Sequence, residues 1–208
     1  MAEMGLTGTG AVEALIWAAA PSYLLGAVPV GLLIGRAFGL GDVRKIGSGN
    51  IGATNVLRTG NKKAAALTFG LDVVKGAAPA LIAGAWLGPW GAGVAGFAAF
   101  LGHCFSPFLN FRGGKGVATG LGALLAWRWE IALLALALFA LIVWRTRYVS
   151  LGSLAASAVA VIGFAALGLW PLTLFAALMA AVSAWAHREN IGRLLRGEES
   201  KIGLGSGN

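Results

Sequence analysis

The sequence predicts an all-α membrane protein, a polytopic bundle of seven transmembrane helices forming one domain over residues 1–208. Of the 208 residues, 58% are hydrophobic and only 12% are charged, and the mean hydropathy is +0.79. Soluble domains usually carry about a quarter charged residues, so this composition excludes an ordinary cytosolic domain, a disordered chain and a nucleic-acid binder. The apolar runs are continuous and rich in Ala and Leu, whereas membrane strands alternate.

Seven apolar segments approach the roughly 17 to 25 residues that a spanning helix needs. They are about Leu15–Phe38, Ala64–Leu87, Trp90–Phe105, Val117–Trp127, Ile131–Trp144, Val149–Leu169 and Pro171–His187. The fourth and fifth are too short to cross alone; their flanks could extend them, or they could line a cavity that tolerates irregular backbone. The N-terminus carries Glu3 and Glu13 rather than a basic region, so we expect the first helix to be retained.

Basic residues concentrate in every second connection between these segments. Fourteen of the 16 lie there or in the C-terminal tail: Arg36, Arg44, Lys45, Arg58, Lys62, Lys63, Arg112, Lys115, Arg145, Arg147, Arg188, Arg193, Arg196 and Lys201. Because positively charged loops stay in the cytoplasm, we predict that the N-terminus is outside and the C-terminus cytoplasmic. Six or eight spans would spoil this alternation.

The first polar loop, residues 45–58, reads KIGSGNIGATNVLR. Glycines let backbone N–H groups approach an anion closely, and Ser and Asn side chains donate hydrogen bonds. Arg58 can hold a phosphate with two hydrogen bonds. A flexible polar loop is the alternative interpretation. The glycines also fit the dinucleotide pattern G-x-G-x-x-G, but that pattern requires a preceding strand, and here a membrane helix precedes it.

The second polar loop, residues 102–119, contains Gly113, Gly114, Lys115 and Gly116 immediately before an apolar helix. This arrangement directs backbone N–H groups and the positive end of a helix at an anion. It is not a nucleotide-hydrolysing P-loop, because Leu109 stands where that motif has Gly and no Ser or Thr follows the lysine.

The third polar segment, residues 187–202, begins with His187 and Asn190, which we expect on one helix face because they are three residues apart. Its arginines fit membrane anchors and site residues equally well. Asp72 and Lys75 lie inside a span, where charges are functional suspects by default. We favour a neutralising pair that braces the loops.

Together these three segments resemble the bacterial acyl-phosphate:glycerol-3-phosphate acyltransferase family. The resemblance rests on GSGNIGATNVLR, on the run from His103 to Thr119 that contains FRGGKGVAT, and on HRENI followed by RLL and GE. It covers the chain from the first helix to Ile202. It implies a seven-span enzyme of the bacterial inner membrane with its active site facing the cytoplasm, in contact with membrane lipids.

The resemblance also implies the reaction, which is the first step of phospholipid biosynthesis. The 1-hydroxyl of glycerol 3-phosphate attacks the carbonyl of an acyl phosphate, giving 1-acylglycerol 3-phosphate and phosphate. No cofactor is required, because the mixed anhydride is already activated, and no metal is implied.

Carried over residue by residue, the family pattern implies two sets of site residues. The glycerol 3-phosphate set is Ser48, Arg58, Lys115, His187 and Asn190. The acyl phosphate set is Asn50, Thr54, Asn55, the amides of Gly113, Gly114 and Gly116, and Thr119, with Ser153 or, less favoured, Ser150 completing the site.

Two points stay open at the level of sequence. His187 or a substrate phosphate oxygen accepts the hydroxyl proton, and we favour the substrate phosphate. A membrane transporter for a phosphorylated anion is the rival function, although the chain lacks the repeated halves that many transporters show. The H-x4-D motif of acyltransferases with soluble acyl donors is absent after both His103 and His187.

Overall fold

The computed structural model describes residues 8–203, so Glu3 and the glycine-rich end beyond Gly203 lie outside the described part. Within that part the secondary structure is helical and contains no strand, which confirms the all-α prediction. The helices are α1 (Thr9–Ala27), α2 (Val30–Ala37), α3 (Ala53–Leu57), α4 (Lys62–Cys104), α5 (Val117–Trp127), α6 (Trp129–Thr146), α7 (Val149–Ala166), α8 (Trp170–Ala186) and α9 (Arg188–Leu195). Two 3₁₀ turns cover Val43–Lys45 and Pro107–Leu109.

Among the described residues, four helical segments are long and apolar enough to cross a membrane. They are Thr9–Ala37, Lys62–Leu109, Trp129–Thr146 and Val149–Ala166, and the bent pair α8 and α9 is a fifth candidate. Large apolar side chains, among them Trp17, Trp86 and Trp144, lie mostly exposed on these helices. Exposed apolar surface of this extent suits contact with lipid.

Helix α4 is a hairpin of two helices rather than one long rod. Its backbone breaks at Gly88, whose φ of 64° and ψ of −156° are not helical, and Pro89 follows. Thirty-one positions separate Asp72 from His103, which in a straight helix would place them about 46 Å apart; their side chains lie 3.6 Å apart. Residues 62–87 and 89–104 are therefore the separate second and third helices that the sequence predicts.

The first predicted span is interrupted in the structure. Helix α1 ends at Ala27 and α2 begins at Val30, with Val28 and Pro29 between them. The interruption is held by the α4 hairpin and the turn after it, because Lys75 donates a hydrogen bond to the Val28 carbonyl and the Ser106 hydroxyl donates to that of Ala27. The short fourth span is confirmed as a helix with the predicted bounds, Val117–Trp127.

The structure divides into two compact units, residues 1–127 and 128–208. In the first unit, helix backbones approach one another closely at glycines. A Cβ on Gly26 would overlap the backbone of Ala99, and a Cβ on Gly76 would overlap the carbonyl of Thr119. The second unit contains α6 to α9, and α8 and α9 meet at a bend of 63°. The single domain over residues 1–208 stays a prediction from the sequence.

Candidate active site

In the first unit, Asn55 organises the first polar loop from inside. Its side-chain N–H groups donate to the carbonyls of Val43 and Asn50, both at 2.7 Å. Its side-chain oxygen accepts from the Ser48 amide at 2.9 Å and the Ser48 hydroxyl at 3.2 Å. The residue is only 2% exposed. In this structure Asn55 therefore shapes the loop and presents Ser48, which lies exposed at the surface.

The loop brings Arg58 close to its glycine-rich part. Arg58 is the C-cap residue that directly follows helix α3, and its Cδ would lie 2.7 Å from a Cβ placed on Gly47. Gly47 also has φ of 56°, a conformation that only glycine adopts without strain. Gly47 therefore lets the Arg58 side chain lie against the backbone one residue before Ser48.

The remaining candidates of this loop have different surroundings. The Asn50 side-chain oxygen accepts from the Gly52 amide at 2.9 Å, which closes a local turn. Thr54 is half-buried in helix α3. Asp42 lies just before the loop and forms an ion pair with Arg44 at 2.6 Å. The Asp42 carboxylate accepts hydrogen bonds from the Arg44 side chain and from the Arg44 backbone amide. These bonds from Arg44 hold the pKa of Asp42 well below its ordinary value.

The second polar loop is held against the end of the α4 hairpin. The amides of Gly113 and Gly114 donate to the carbonyls of Cys104 and His103, each at 3.0 Å. A Cβ on Gly114 would overlap the His103 imidazole, and one on Gly116, whose φ is 75°, would overlap the Phe100 ring. These glycines thus permit close packing, and the first two amides are engaged within the loop.

Lys115 follows directly on this packed segment and is half-buried. Helix α5 begins two residues later at Val117, so Lys115 stands at a helix N-terminus, where an anion is stabilised. Thr119 lies in the first turn of α5 and is fully buried, and its hydroxyl has no hydrogen-bond partner among residues 8–203.

The structure packs the two loops of the first unit against the same cluster. Ile51 of the first polar loop, Leu109 of the second and Leu32 of helix α2 form one buried apolar group. This contact joins the segments that carry Ser48, Arg58 and Lys115. An anion-binding surface assembled from both loops is therefore possible within this unit alone.

In the second unit, His187 occupies the bend between α8 and α9. It is 3% exposed, and its Nδ1 lies 2.8 Å from the Ser183 carbonyl oxygen. A carbonyl only accepts, so Nδ1 carries the hydrogen and Nε2 carries the lone pair of the neutral ring. His187 is the residue that immediately precedes α9, and its carbonyl accepts the hydrogen bond of the Ile191 amide, while Asn190 lies in the first turn of that helix.

Glu199 is the centre of a buried polar cluster that the sequence analysis did not single out. Its Oε1 accepts hydrogen bonds from the Ser150 hydroxyl and the Asn190 side-chain amide, and its Oε2 accepts from Arg193 Nε at 2.7 Å. Its side chain is 4% exposed. Burial acts to raise the pKa of Glu199, but the hydrogen bonds from Asn190, Ser150 and Arg193 outweigh it and hold the pKa below its ordinary value.

The cluster separates the two candidate serines of α7. Ser150 shares the Glu199 carboxylate with Asn190, whereas the Ser153 hydroxyl donates to the Val149 carbonyl of its own helix at 2.9 Å. The environment of Ser150 is the more polar. The motif of the third polar segment ends with Gly197 and Glu198, directly before Glu199, but nothing in the sequence distinguishes the buried Glu199 from the exposed Glu198.

The comparisons with known proteins agree with one another. The family described as Glycerol-3-phosphate acyltransferase matches residues 16–197. The chain belongs to this family. It is 54% identical over 182 residues to the glycerol-3-phosphate acyltransferase of Jannaschia sp. (strain CCS1), covering 88% of this chain and 90% of that one. It is 51% identical over 203 residues to that of Brucella suis, covering 98% of each chain.

Solved structures of the family are also similar to this chain. One is the crystal structure of PlsY (YgiH), an integral membrane glycerol 3-phosphate acyltransferase, in its glycerol 3-phosphate form, with a TM-score of 0.87 and 40% identity over 91% of this chain and 96% of that one. Its lysophosphatidic acid form gives 0.85 and 38%, over 91% and 95%. Family membership confirms the resemblance stated from the sequence motifs, and the similarity to an integral membrane protein confirms the coarse membrane prediction.

Proposed function

We propose that this protein transfers an acyl group from acyl phosphate to the 1-hydroxyl of glycerol 3-phosphate. The observation that carries the proposal is membership of the glycerol-3-phosphate acyltransferase family across residues 16–197. The loop geometry of the first unit supports it, because Ser48, Arg58 and Lys115 lie on two loops packed against one apolar cluster. A transporter of a phosphorylated anion is disfavoured, since the family is described by acyl transfer.

The chemistry is a direct displacement at the acyl carbon. The 1-hydroxyl oxygen forms the new C–O ester bond, the C–O bond of the mixed anhydride breaks, and phosphate leaves with its electron pair. Arg58, Lys115 and the Ser48 hydroxyl contact the phosphate of glycerol 3-phosphate, and cations and N–H donors stabilise the developing oxyanion. His187 and Asn190 complete this set of contacts.

The second set of contacts serves the acyl phosphate. We assign it Asn50, Thr54, Asn55, Gly113, Gly114, Gly116, Thr119 and Ser153. The amides of Gly113 and Gly114 donate to the carbonyls of Cys104 and His103. These two glycines therefore also pack closely against His103, which positions the next residue, Lys115. The acyl chain lies along apolar helix surface, which the exposed side chains of these helices supply.

The proton acceptor has two candidates. We favour a phosphate oxygen of the substrate. His187 is the second, and the specific observation for it is that Nδ1 donates to the Ser183 carbonyl, which leaves the lone pair on Nε2. A general base contributes about 10²–10⁴-fold to the rate. If His187→Gln loses that much in kcat and also the acid limb of the pH profile, the histidine is the base; retention of the acid limb favours the phosphate.

The arrangement in the membrane is part of the same proposal. We propose seven spans in the bacterial inner membrane, an external N-terminus, and both polar loops and the tail on the cytoplasmic face. The hairpin at Gly88 supports two spans within α4. Single cysteines at Lys62 and at Arg128 test it: in intact cells an impermeant reagent should label the second and not the first.

The decisive assay gives purified protein acyl phosphate and glycerol 3-phosphate and follows both phosphate release and 1-acylglycerol 3-phosphate. We expect turnover with acyl phosphate and none with acyl-CoA. Turnover with acyl-CoA alone would overturn the donor assignment. Uptake of glycerol 3-phosphate into vesicles without ester formation would favour the transporter.

A further inference from the structure

Three buried polar side chains of the α4 hairpin have no part in the proposed chemistry. Asp72, Lys75 and His103 are 1%, 4% and 3% exposed. Asp72 Oδ1 lies 2.9 Å from Lys75 Nζ and 3.6 Å from His103 Nδ1, so the carboxylate joins the two halves of the hairpin. A buried ion pair is costly to desolvate, and simple hairpin packing does not need one.

Lys75 links this buried cluster of three side chains to the first polar loop. Its Nζ donates to the Val28 carbonyl at 2.9 Å, at the interruption between α1 and α2. Helix α2 then lies directly against the first polar loop, because a Cβ on Gly31 would overlap the Ile51 carbonyl oxygen. The direction in which α2 leaves the interruption therefore sets where Ile51 and the loop around it lie.

His103 links the same buried cluster to the second polar loop. Its backbone carbonyl accepts the Gly114 amide at 3.0 Å, and Nε2 is the atom of its ring nearest to a Cβ built on Gly114. Asp72 faces the other ring nitrogen, Nδ1. The carboxylate therefore lies at one side of the ring, 3.6 Å from Nδ1, and the other side of the ring packs against Gly114, the residue before Lys115.

We propose that Asp72, Lys75 and His103 are positioning residues that hold both polar loops from a single buried centre. Asp72 acts through His103 on Gly113–Lys115. Lys75 acts through the Val28 carbonyl and α2 on the first polar loop. A neutralising pair would need charge balance only, whereas these side chains each have a second partner that leads to a different loop.

Hydrogen exchange of the two loops in the purified full chain tests the proposal without reference to activity. The reporters are the amides of Gly113 and Gly114, and those of Ser48 and Gly52, all four hydrogen-bonded in the structure. The variants are Asp72→Asn, Lys75→Met and the double variant, which is uncharged and avoids a lone buried charge. Thr68→Val is the matched control, since that buried hydroxyl bonds only to its own helix at Ala64.

We expect Asp72→Asn to speed exchange at Gly113 and Gly114 by about tenfold or more, as local opening becomes easier. Lys75→Met should do the same at Ser48 and Gly52, and the double variant at all four, while Thr68→Val leaves them unchanged. Wild-type rates in the double variant would overturn the proposal, because a neutral pair would then suffice. Faster exchange spread evenly over α7 and α8 as well would also overturn it, as general destabilisation.

A kinetic measurement rests on the proposed function and adds a second readout. Asp72→Asn should raise KM for glycerol 3-phosphate by about tenfold to 100-fold through misplacement of Lys115, with a smaller change in kcat. A lower kcat at unchanged KM would mean only fewer active molecules and would overturn positioning. If the wild-type chain shows no turnover, the proposed function fails, and the exchange data still decide this inference.

Discussion

The side-chain amide of Asn190 donates a hydrogen bond to the buried carboxylate of Glu199. The same carboxylate oxygen accepts from Ser150 on helix α7, and the other oxygen accepts from Arg193. One acidic residue of the tail thus links Asn190, a candidate substrate-binding residue of α9, to helix α7. The position of Asn190 depends on a residue nine positions later in the tail.

Glu199→Gln should reduce activity well beyond the effect of Glu198→Gln. The glutamine amide has one acceptor oxygen for three donors, so at least one of Asn190, Ser150 and Arg193 loses its partner. An unsatisfied buried group costs about 1–3 kcal/mol. Initial rates and thermal unfolding in detergent measure both effects. Glu198 pairs only with Arg196 at the surface, and equal losses in the two variants would contradict the cluster's role.

Low pH should destabilise the second unit, because it protonates the Glu199 carboxylate. The pKa of Glu199 is held below its ordinary value of 4.5 by its three donors, against the effect of burial. The stabilisation is therefore present above pH 4.5 and is lost as pH falls through the lowered folded-state pKa. As pH is lowered from 6, the melting temperature should fall more steeply for the wild type than for Glu199→Gln. An equal dependence on pH in the two proteins would refute the assignment.

Asn55→Asp should collapse the first polar loop. The aspartate has no N–H groups, so the carbonyls of Val43 and Asn50 lose their donors and face a carboxylate instead. Ser48 would lose its fixed position, so activity should fall below detection, and exchange at the Ser48 amide should rise. Thr54→Val, in the same short helix, is the matched comparison for folding. Wild-type exchange in Asn55→Asp would show that another group organises the loop.

The sequence predicted the helices well because apolar length and glycine or proline breaks are local signals. The fourth span, Val117–Trp127, has the predicted bounds, and the hairpin turn falls at the predicted Gly88–Pro89 connection. The interruption of the first span at Val28 was not predicted. It is stabilised by Lys75 and Ser106, which lie far along the chain, and no local pattern records such a contact.

The candidate site was predicted as residue types, not as partners. Asn55 and Gly114 emerge as shaping residues because their hydrogen bonds and close contacts are tertiary. His103 and Glu199 were missed as cluster members for the same reason. Composition marks a loop as polar, but only the fold shows which polar group faces inward.

Removing either loop cation should impair the reaction far more than removing a tail cation. Arg58→Ala or Lys115→Ala should each cost about 2.7–4 kcal/mol of transition-state stabilisation, as for one oxyanion donor. Arg196→Ala is the control, since its exposed side chain pairs only with Glu198, and exposed pairs contribute little. Values of kcat/KM for both substrates give the measurement. Near-normal activity without Arg58 or Lys115 would remove that residue from the site.

Two glycines of α4 should respond in opposite ways to alanine. A Cβ on Gly76 would overlap the Thr119 carbonyl, so Gly76→Ala must push α5 away and should lower the melting temperature and activity together. Gly70 has nothing within 4 Å of such a Cβ, and alanine favours a helix over glycine by about 1 kcal/mol. Gly70→Ala should therefore keep full activity with an equal or higher melting temperature. Because the two positions share one half of the hairpin, a matching loss in both would mean that helix contact with α5 is not what Gly76 provides.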